Sequence, residues 1–266
     1  MLTKALGLPA DEIVLDLEDA VAPPDKVEAR TRVTALLVTP SWRDRTVAVR
    51  VNAIGTPWHE HDVGSIVAAR HPRLTIVVPK VESPRDVQAV DDLIRRPEGS
   101  SDVQVGLQAL VETARGLANV QAIAGASPRL RTLILGYADL ASSLGRRAGS
   151  DLSWRSAQDA VLLAARSNGL QAVDGPFLRI RAGKRLREDA ELVRGLGYDG
   201  KWVIHPSHVE IVNVAFTPSP EEISRARAVI GRLDRGVGAA AFDGQMIDEA
   251  MRLGAIRTLA LAGLNP

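Results

Sequence analysis

The sequence predicts an α/β fold, a (β/α)₈ barrel of the TIM type followed by a C-terminal helical extension. Short apolar runs rich in β-branched residues recur along the chain, and segments with helical spacing separate them. Strand followed by helix, repeated, is typical of a parallel sheet. Almost every run also ends in charged residues, as expected at the carboxyl ends of barrel strands, where active sites lie. An open doubly wound sheet is the alternative.

Seven runs have the length and composition of buried strands. They are residues 12–18, 46–52, 74–80, 103–112, 132–139, 170–176 and 201–206. A closed barrel needs eight strands, and the opening "MLTKALGL" is typical of the second half of a helix. We therefore expect the first strand of the barrel to be missing from this sequence.

The barrel is predicted to span residues 1–216, and residues 217–266 form the extension. In the extension, "PSPEEISRARAVIGRLDR" has helical spacing, with Ser219 and Glu222 placed as a capping box. A glycine-rich connector follows, and "QMIDEAMRLGAIRTLALAG" is predicted to form a second helix.

Composition excludes several classes of function. The 266 residues contain no cysteine, which excludes disulfides, thiolate metal sites and a cysteine nucleophile. The formal net charge is +1 and aromatic residues make up 3% of the chain, so neither nucleic acid nor a membrane is an expected partner. With no apolar run long enough for a membrane span and no signal peptide pattern, we expect a cytoplasmic protein.

Two carboxylates at neighbouring strand ends are candidate metal ligands. Glu112 and Asp139 come without a His-x-x-x-His pattern or a cysteine pair, and such a pair suits a hard cation such as Mg²⁺. Gly136 would let backbone or ligand approach closely. Alternatively, Glu112 pairs with Arg115 and Asp139 caps the following helix.

The first run, "EIVLDLEDAVAPPDK", ends in three acids, Asp16, Glu18 and Asp19. Burial of carboxylates is costly unless they are paired or bind a metal, so these side chains require a partner. Arg50 follows the small Ala48 on the same face of the next run, which leaves room for its side chain. A salt bridge to Asp16 or Glu18 is compatible with a functional role for Arg50, and Asp19 could instead cap a helix.

Lys80 also lies at a strand end, where Schiff-base aldolases carry their lysine. Glu82 follows two residues later, so a salt bridge that keeps Lys80 protonated is the preferred interpretation. The histidines of 59–61 and 205–208 fall in different loops without a further ligand, which makes a zinc site a poor alternative.

Nine ordered stretches together resemble one enzyme family. They are "VLDLEDAVAPPDKVEAR", "VAVRVNAIGT", "VVPKVESPRDV", "ALVETARG", "GYADLASSLG", "LQAVD", "GKWVIHPSHVEIVN", "FTPSPEEI" and "DGQMID". The chain resembles the β-subunit of citrate lyase and the malyl-CoA and citramalyl-CoA lyases, within the HpcH/HpaI aldolase superfamily. Members usually begin with a first strand of the type Arg-Ser-x-Leu-Phe-Val-Pro-Gly, which this sequence lacks. That departure agrees with the count of seven runs.

The resemblance implies Mg²⁺ bound by Glu112 and Asp139, and it places Arg50 against the oxoacid or the developing enolate. The three acids of the first run would then orient Arg50 or metal-bound water. Further candidates for contact with substrate or CoA are Lys26, Arg30, Gly136, His205 and Pro206. The stretch 179–189, "RIRAGKRLRED", departs from the acid-containing loop usual in the family.

In relatives, the acid of a C-terminal Gly-x-Met-Ile-Asp stretch closes over the site of a neighbouring subunit and handles the proton on the acetyl carbon. The corresponding residue here is Asp248, which implies a homo-oligomer, a trimer. The alternative is a surface aspartate paired with Arg252.

The implied activity is reversible carbon–carbon cleavage of a 3-hydroxyacyl-CoA, such as malyl-CoA or citramalyl-CoA, to acetyl-CoA and a 2-oxoacid. Three alternatives remain open at this point. The chain could be a true citrate lyase β-subunit that acts on an acyl-carrier-protein thioester, a CoA-independent aldolase, or a degenerate binding protein without activity.

Overall fold

The computed structural model describes residues 2–98, 104–147, 154–181, 183–234 and 240–265. Contacts divide the chain into two units, residues 1–210 and 211–266. The predicted boundary at residue 216 coincides with the end of a helix, Pro206–Phe216, and the division by contacts falls within that helix.

The first unit contains seven parallel strands. They are β1 (Glu12–Asp16), β2 (Thr46–Arg50), β3 (Leu74–Val78), β4 (Gly106–Val111), β5 (Leu130–Leu135), β6 (Gln171–Asp174) and β7 (Gly200–Lys201). They lie side by side in sequence order in one sheet. The seven predicted strands are therefore confirmed, although each is shorter than its apolar run. β7 precedes most of the run 201–206, because the chain leaves the sheet after Lys201.

Helices connect consecutive strands, as the repeated pattern predicted, and one further helix precedes β1 and another follows β7. Those up to β5 are α1 (Leu2–Ala5), α2 (Lys26–Leu37), α3 (Pro40–Arg43), α4 (His59–Ala68), α5 (Pro84–Glu98), α6 (Ala114–Ala118) and α7 (Val120–Ala124), with a 3₁₀ turn at Pro23–Asp25 before α2. Those after β5 are α8 (Tyr137–Ser143), α9 (Arg155–Ser167), α10 (Gly183–Leu196) and α11 (Pro206–Phe216). Thr113 caps α6 by accepting the Gly116 N–H at 3.0 Å, and threonine is among the residues favoured at this position.

The sheet curls around an apolar interior. One buried cluster contains a single residue from each of four adjacent strands, Ala48, Val77, Leu110 and Ile134. Val14 of β1, Val173 of β6 and Trp202 after β7 pack against the same cluster. Side chains from one face of a sheet can all meet only if the sheet bends around them. The fold is thus a curled parallel sheet of seven strands, a half-barrel.

No pairing joins β7 to β1 within the described parts of the chain. The closed eight-stranded barrel is confirmed only as far as these seven strands, and the missing first strand stays a prediction.

A polar layer lies on the amino-terminal side of the apolar cluster. The Gln108 side-chain amide donates to Glu12 at 2.9 Å and to Thr75 Oγ1 at 2.8 Å, and Thr75 donates to Glu12 at 3.0 Å. Burial raises the pKa of the Glu12 carboxyl against the effect of these hydrogen bonds. The side chains at the opposite, carboxyl ends of the strands form the site described below.

The second unit contains α12 (Pro220–Leu233), strands β8 (Ala240–Phe242) and β9 (Gln245–Ile247), and α13 (Glu249–Leu261). The predicted capping box of Ser219 and Glu222 is confirmed at the start of α12. The prediction of one helix from Gln245 onward is wrong at its start, because β8 and β9 form an antiparallel hairpin. Asp243 and Gly244 make its two-residue turn, with φ of +48° and +73°, and an Asp-Gly pair favours this turn.

The second unit has a small core of its own. Its buried members are Ala226, Val229, Ile230, Ile247, Ala255 and Leu259. Across the described residues, no helix is both long and apolar enough to cross a membrane.

Candidate active site

Five charged side chains meet at the carboxyl ends of β1 to β4. They are Asp16, Glu18, Arg50, Lys80 and Glu112, and Asp139 joins them from the first turn of α8. The sequence predicted a convergence of charge here, because parallel strands end at the same edge of a sheet.

Arg50 binds the acids of the first strand. β1 and β2 pair with Asp16 opposite Arg50, and the Arg50 Nε donates to Asp16 Oδ1 at 2.8 Å. Arg50 Nη1 lies 2.9 Å from Glu18 Oε2 and 3.6 Å from Asp19 Oδ2. Burial opposes its charge, but the hydrogen bond and charge of Asp16 raise the pKa of the guanidinium above its usual range. The predicted salt bridges of Arg50 to Asp16 and Glu18 are thus present, so the buried Glu18 and the partly buried Asp16 have their partner.

Lys80 connects the first-strand acids to the candidate metal ligands. Its ammonium contacts Glu18 Oε1 and lies 3.7 Å from Asp139 Oδ1, while its backbone N–H donates to Glu112 Oε1 at 2.9 Å. Burial alone would lower the pKa of the ammonium, yet the hydrogen bond and charge of Glu18 raise it. Lys80 is therefore cationic, as expected for a salt-bridged lysine.

The predicted partner of Lys80 was nevertheless wrong. Glu82 faces Arg115 instead, with 3.8 Å between Arg115 Nε and Glu82 Oε2. The strand ends at Val78, and Lys80 has a left-handed φ of +53°. Alternation of side chains does not continue through such a residue, so Lys80 turns toward Glu18 across the sheet. A left-handed lysine is uncommon, and such strain concentrates at functional sites.

Glu112 is a buried carboxyl group, with a residue exposure of 2%. Burial and then the charge of Asp139 raise its pKa to about 8, although Lys80 acts in the opposite direction. The alternative pairing with Arg115 is wrong, because Arg115 contacts Glu82. A carboxyl group whose pKa is raised this far by burial and by a neighbouring carboxylate binds a proton at neutral pH. A bound cation can take the place of that proton.

Gly136 gives Glu112 the space it occupies. A methyl group on Gly136 would lie 2.6 Å from Glu112 Cβ and 2.7 Å from Glu112 Oε2. Gly136 is also the N-cap residue immediately before α8, and it precedes Asp139 by three positions. The alternative of Asp139 as a helix cap is wrong, because the capping position belongs to Gly136. The group that approaches this glycine closely is the side chain of Glu112, a candidate metal ligand.

The donor set fits a hard divalent cation such as Mg²⁺. Glu112 and Asp139 offer oxygen atoms only, and Mg²⁺ commonly takes one or two carboxylates and keeps water or substrate at its other positions. Within the described ranges no group of three or more His, Cys, Asp or Glu side chains has metal-binding geometry. The two carboxylates would therefore bind the ion together with exchangeable ligands, and this assignment stays a prediction.

The histidines take part in separate contacts. His59 bonds the Asn52 carbonyl through Nδ1 at 2.7 Å, and His208 bonds the Ile180 carbonyl through Nε2 at 2.9 Å. His205 is partly buried and bonds Ser207 through Nδ1 at 2.7 Å, and Pro206 is exposed at the first position of α11. The predicted contact of His205 and Pro206 with CoA stays a prediction.

Lys26 and Arg30 on α2 are held by the protein. The Lys26 ammonium donates to the Leu17 carbonyl at 2.8 Å and to the Glu18 carbonyl at 2.6 Å. Arg30 Nη1 donates to the fully buried Asp62 at 3.1 Å. Lys26 thus ties α2 to the loop after β1, and contact of either side chain with CoA phosphates stays a prediction.

Asp248 lies in the second unit, at the start of α13. Its side chain caps the helix by accepting the Met251 N–H at 3.2 Å. The alternative pairing with Arg252 is wrong, because Arg252 bonds Glu249 and Asp234, each at 3.4 Å. Action of Asp248 on the site of a neighbouring subunit stays a prediction.

Sequence reasoning missed a buried network beside the site. Asp174 at the end of β6 accepts hydrogen bonds from Tyr137 and Lys201, and the Tyr137 phenol accepts one from Gln158 at 2.8 Å. Lys201 also contacts Asp189 at 2.7 Å. Asp174 lies near the end of the predicted strand 170–176, but no spacing rule connects it to Tyr137 or Lys201.

Comparison with known proteins identifies the family. The family model "HpcH/HpaI aldolase/citrate lyase" matches residues 1–206. A (3S)-malyl-CoA thioesterase of Cereibacter sphaeroides is 40% identical over 98% of this chain and 90% of its own length. An L-malyl-CoA/beta-methylmalyl-CoA lyase of the same species is 35% identical over 94% of this chain and 86% of its own.

A solved structure extends the likeness to the fold. The protein CitE of Mycobacterium tuberculosis, in complex with magnesium, acetoacetate and coenzyme A, superposes with a TM-score of 0.77. It is 32% identical, and the match covers 96% of this chain and 90% of that one. The chain belongs to the HpcH/HpaI aldolase/citrate lyase family, a family of carbon–carbon lyases.

Proposed function

We propose that this enzyme cleaves a 3-hydroxyacyl-CoA such as malyl-CoA or citramalyl-CoA, with Mg²⁺, into acetyl-CoA and a 2-oxoacid. One observation carries the proposal. Lys80 contacts the candidate metal ligands Glu112 and Asp139 and also Glu18, which in turn contacts Arg50. This arrangement brings two candidate metal ligands and a partly buried guanidinium to the same end of the sheet, and recognition of a negatively charged oxoacid requires both.

Mg²⁺ bound at Glu112 and Asp139 would polarise the oxygen atoms of the oxoacid and orient it. Arg50 would donate to the oxygen that gains negative charge, from a position that Asp16 and Glu18 already hold. Lys80 would keep Glu18 in place and balance the negative charge of the acid cluster when the metal is absent.

Cleavage requires loss of the proton from the 3-hydroxyl group and rupture of the adjacent carbon–carbon bond. The hydroxyl carbon becomes the carbonyl of the oxoacid, and the electron pair of the broken bond passes to the acetyl-CoA enolate. The enolate carbon that becomes the methyl group of acetyl-CoA must then gain a proton. Asp248 of a neighbouring subunit would handle this proton in a homotrimer, and Lys26, Arg30, Gly136, His205 and Pro206 would line the path of the CoA thioester.

Hydrolysis of malyl-CoA to malate and CoA is a second candidate activity. It is favoured by the relative named (3S)-malyl-CoA thioesterase, at 40% identity over 98% of this chain. In that reaction water adds to the thioester carbonyl and the carbon–sulfur bond breaks, while the carbon–carbon bond remains intact. Both activities would start from the same bound substrate.

Two product assays on (3S)-malyl-CoA with Mg²⁺ separate these activities. Phenylhydrazine traps glyoxylate, and a disulfide reagent reports free CoA thiol without background, because the protein has no cysteine. We expect glyoxylate with equimolar acetyl-CoA and little thiol. Thiol with malate and no glyoxylate would establish the thioesterase instead. With neither product from malyl-CoA, citramalyl-CoA or related hydroxyacyl-CoAs, the proposal fails.

A further inference from the structure

We infer that the buried network of Tyr137, Asp174 and Lys201 is a positioning device for the metal ligand Asp139. The inference rests on the proposed function, because it assigns the network to the metal site of that function. These residues form no hydrogen bond or ion pair with the candidate metal ligands or with Arg50 in the described part of the chain. Asp139 itself has few contacts.

Few contacts hold the side chain of Asp139 in place. Its side chain is 38% exposed, and among the described residues its contact is the ion pair with Lys80 at 3.7 Å. Glu112, by contrast, is 2% exposed and accepts a backbone hydrogen bond. The position of Asp139 therefore depends on the helix that carries it.

That helix cannot supply the rigidity alone. α8 spans seven residues, Tyr137–Ser143, and isolated helices of this length are unstable in water. Tertiary contacts must set its place. Leu140 is fully buried, Ser143 Oγ accepts the Ala114 N–H at 2.9 Å, and the Tyr137 phenol donates to Asp174.

Tyr137 is the contact closest to Asp139, in the same first turn. Its hydroxyl donates to Asp174 Oδ1 and accepts from the Gln158 amide at 2.8 Å. The ring also packs tightly: a methyl group on Gly175 would lie 2.8 Å from Tyr137 Cδ2.

Asp174 is itself immobilised. It is fully buried, and its other oxygen accepts a hydrogen bond from the Lys201 ammonium, whose side chain is 1% exposed. Lys201 also donates to the Gly175 carbonyl at 2.7 Å and contacts Asp189 at 2.7 Å, so all three of its N–H donors have partners. A fully satisfied buried network is rigid and fixes one arrangement.

The chain of contacts therefore runs from β6 and β7 through one phenol to the turn that carries Asp139. Groups that orient metal ligands from behind commonly change metal affinity 10- to 100-fold when removed, on the order of what we expect here. Tyr137 would act through the placement of Asp139, and it is a positioning residue in this sense.

Tyr137→Phe removes one oxygen and leaves both carboxylates in place. Tyr198→Phe is a matched control, because Tyr198 is also buried but its phenol donates to the Gln158 backbone carbonyl at 3.0 Å and not to Asp174. Titration calorimetry on the metal-free proteins should give roughly tenfold weaker Mg²⁺ binding for Tyr137→Phe. Tyr198→Phe should bind Mg²⁺ as the wild type does.

Hydrogen exchange provides a readout that needs no metal. Amides of residues 138–144 should exchange faster in Tyr137→Phe than in the wild type, and Tyr198→Phe should leave them unchanged. If Tyr137→Phe does not fold, Gln158→Met removes the other hydrogen bond of the phenol and should shift both readouts in the same direction.

Two failures are distinguishable. A wild type that binds no Mg²⁺ would refute the proposed function, while the exchange of α8 would still decide whether Tyr137 positions it. Mg²⁺ affinity and α8 exchange equal to the wild type in Tyr137→Phe would overturn the inference. Equal effects in Tyr137→Phe and Tyr198→Phe would also overturn it, since the network would then have only a general structural role.

Discussion

Replacement of Glu112 by glutamine should make the metal-free protein more stable and remove its response to Mg²⁺. The pKa of Glu112 is raised from 4.5 to about 8 by burial and by Asp139. The native state therefore binds a proton more tightly than the unfolded chain between these two values. The contribution of Glu112 to the stability of the metal-free wild type should accordingly be greatest below pH 4.5, fall as pH rises toward 8, and level off above it.

The magnitude follows from this range. Each pH unit above the unfolded pKa of 4.5 costs about 1.4 kcal/mol, so at pH 7 the carboxyl lowers the free energy of unfolding by up to about 3 kcal/mol. Glutamine keeps an oxygen for the Lys80 N–H and carries no charge. The advantage of Glu112→Gln over the wild type should thus grow from less than about 1 kcal/mol at pH 5 to about 3 kcal/mol at pH 7.

Mg²⁺ should reverse the order of stability. At a concentration 1,000 times its dissociation constant, a bound ligand stabilises a protein by about 4.1 kcal/mol, which exceeds the advantage of about 3 kcal/mol that Glu112→Gln has at pH 7, and only the wild type should show this gain. Denaturant unfolding at pH 5 and pH 7, with and without Mg²⁺, measures all these terms. Glu12→Gln is the control, because it removes a second buried carboxyl with a raised pKa from the other end of the sheet. A Mg²⁺ response that persists in Glu112→Gln would refute the reasoning.

Four further outcomes are expected. Gly136→Ala should weaken Mg²⁺ binding at least about tenfold, because the added methyl group would lie 2.6 Å from Glu112 Cβ; calorimetry showing wild-type affinity would contradict this. Arg50→Lys should lower kcat/KM on the order of 10²-fold while Mg²⁺ affinity stays unchanged, and unchanged kinetics would remove Arg50 from the chemistry. Borohydride with an oxoacid should leave Lys80 unmodified in mass spectra, whereas an adduct there would indicate Schiff-base catalysis. Inactive Asp248→Ala and Glu112→Ala subunits should regain activity when reassembled together, and mixed oligomers that stay inactive would exclude action in trans.

The sequence predicted the features that depend on periodicity and strand direction. Apolar runs located all seven strands, since strands covered on both faces must be apolar throughout. The meeting of Asp16 and Arg50 followed from two parallel strands that end at one edge, and the register places them opposite each other. The close approach at Gly136 followed from the missing side chain, although the group that approaches is the side chain of Glu112 rather than the backbone or a bound substrate.

What the sequence did not predict depends on backbone departures and distant contacts. Lys80 was paired with Glu82 because alternation was continued past the end of β3, where a left-handed residue interrupts it. The hairpin was also missed: its turn at Asp243 and Gly244 falls in the predicted glycine-rich connector and its second strand in the predicted helix, although the Asp-Gly pair favours a hairpin.

The network of Tyr137, Asp174 and Lys201 is a contact of a different kind. It joins residues 27 to 64 positions apart, since Lys201 follows Asp174 by 27 positions and Tyr137 by 64. No local spacing connects such residues, and only the curl of the sheet brings them together.

Anomalous diffraction from crystals grown with Mn²⁺ and pyruvate tests the metal site most directly, since Mn²⁺ replaces Mg²⁺ at oxygen-rich sites and scatters anomalously. The account predicts one strong peak within about 2.2 Å of carboxylate oxygens of both Glu112 and Asp139, with pyruvate oxygens completing the ligands and Arg50 facing the oxoacid. A peak elsewhere, or one that touches neither carboxylate, would contradict it.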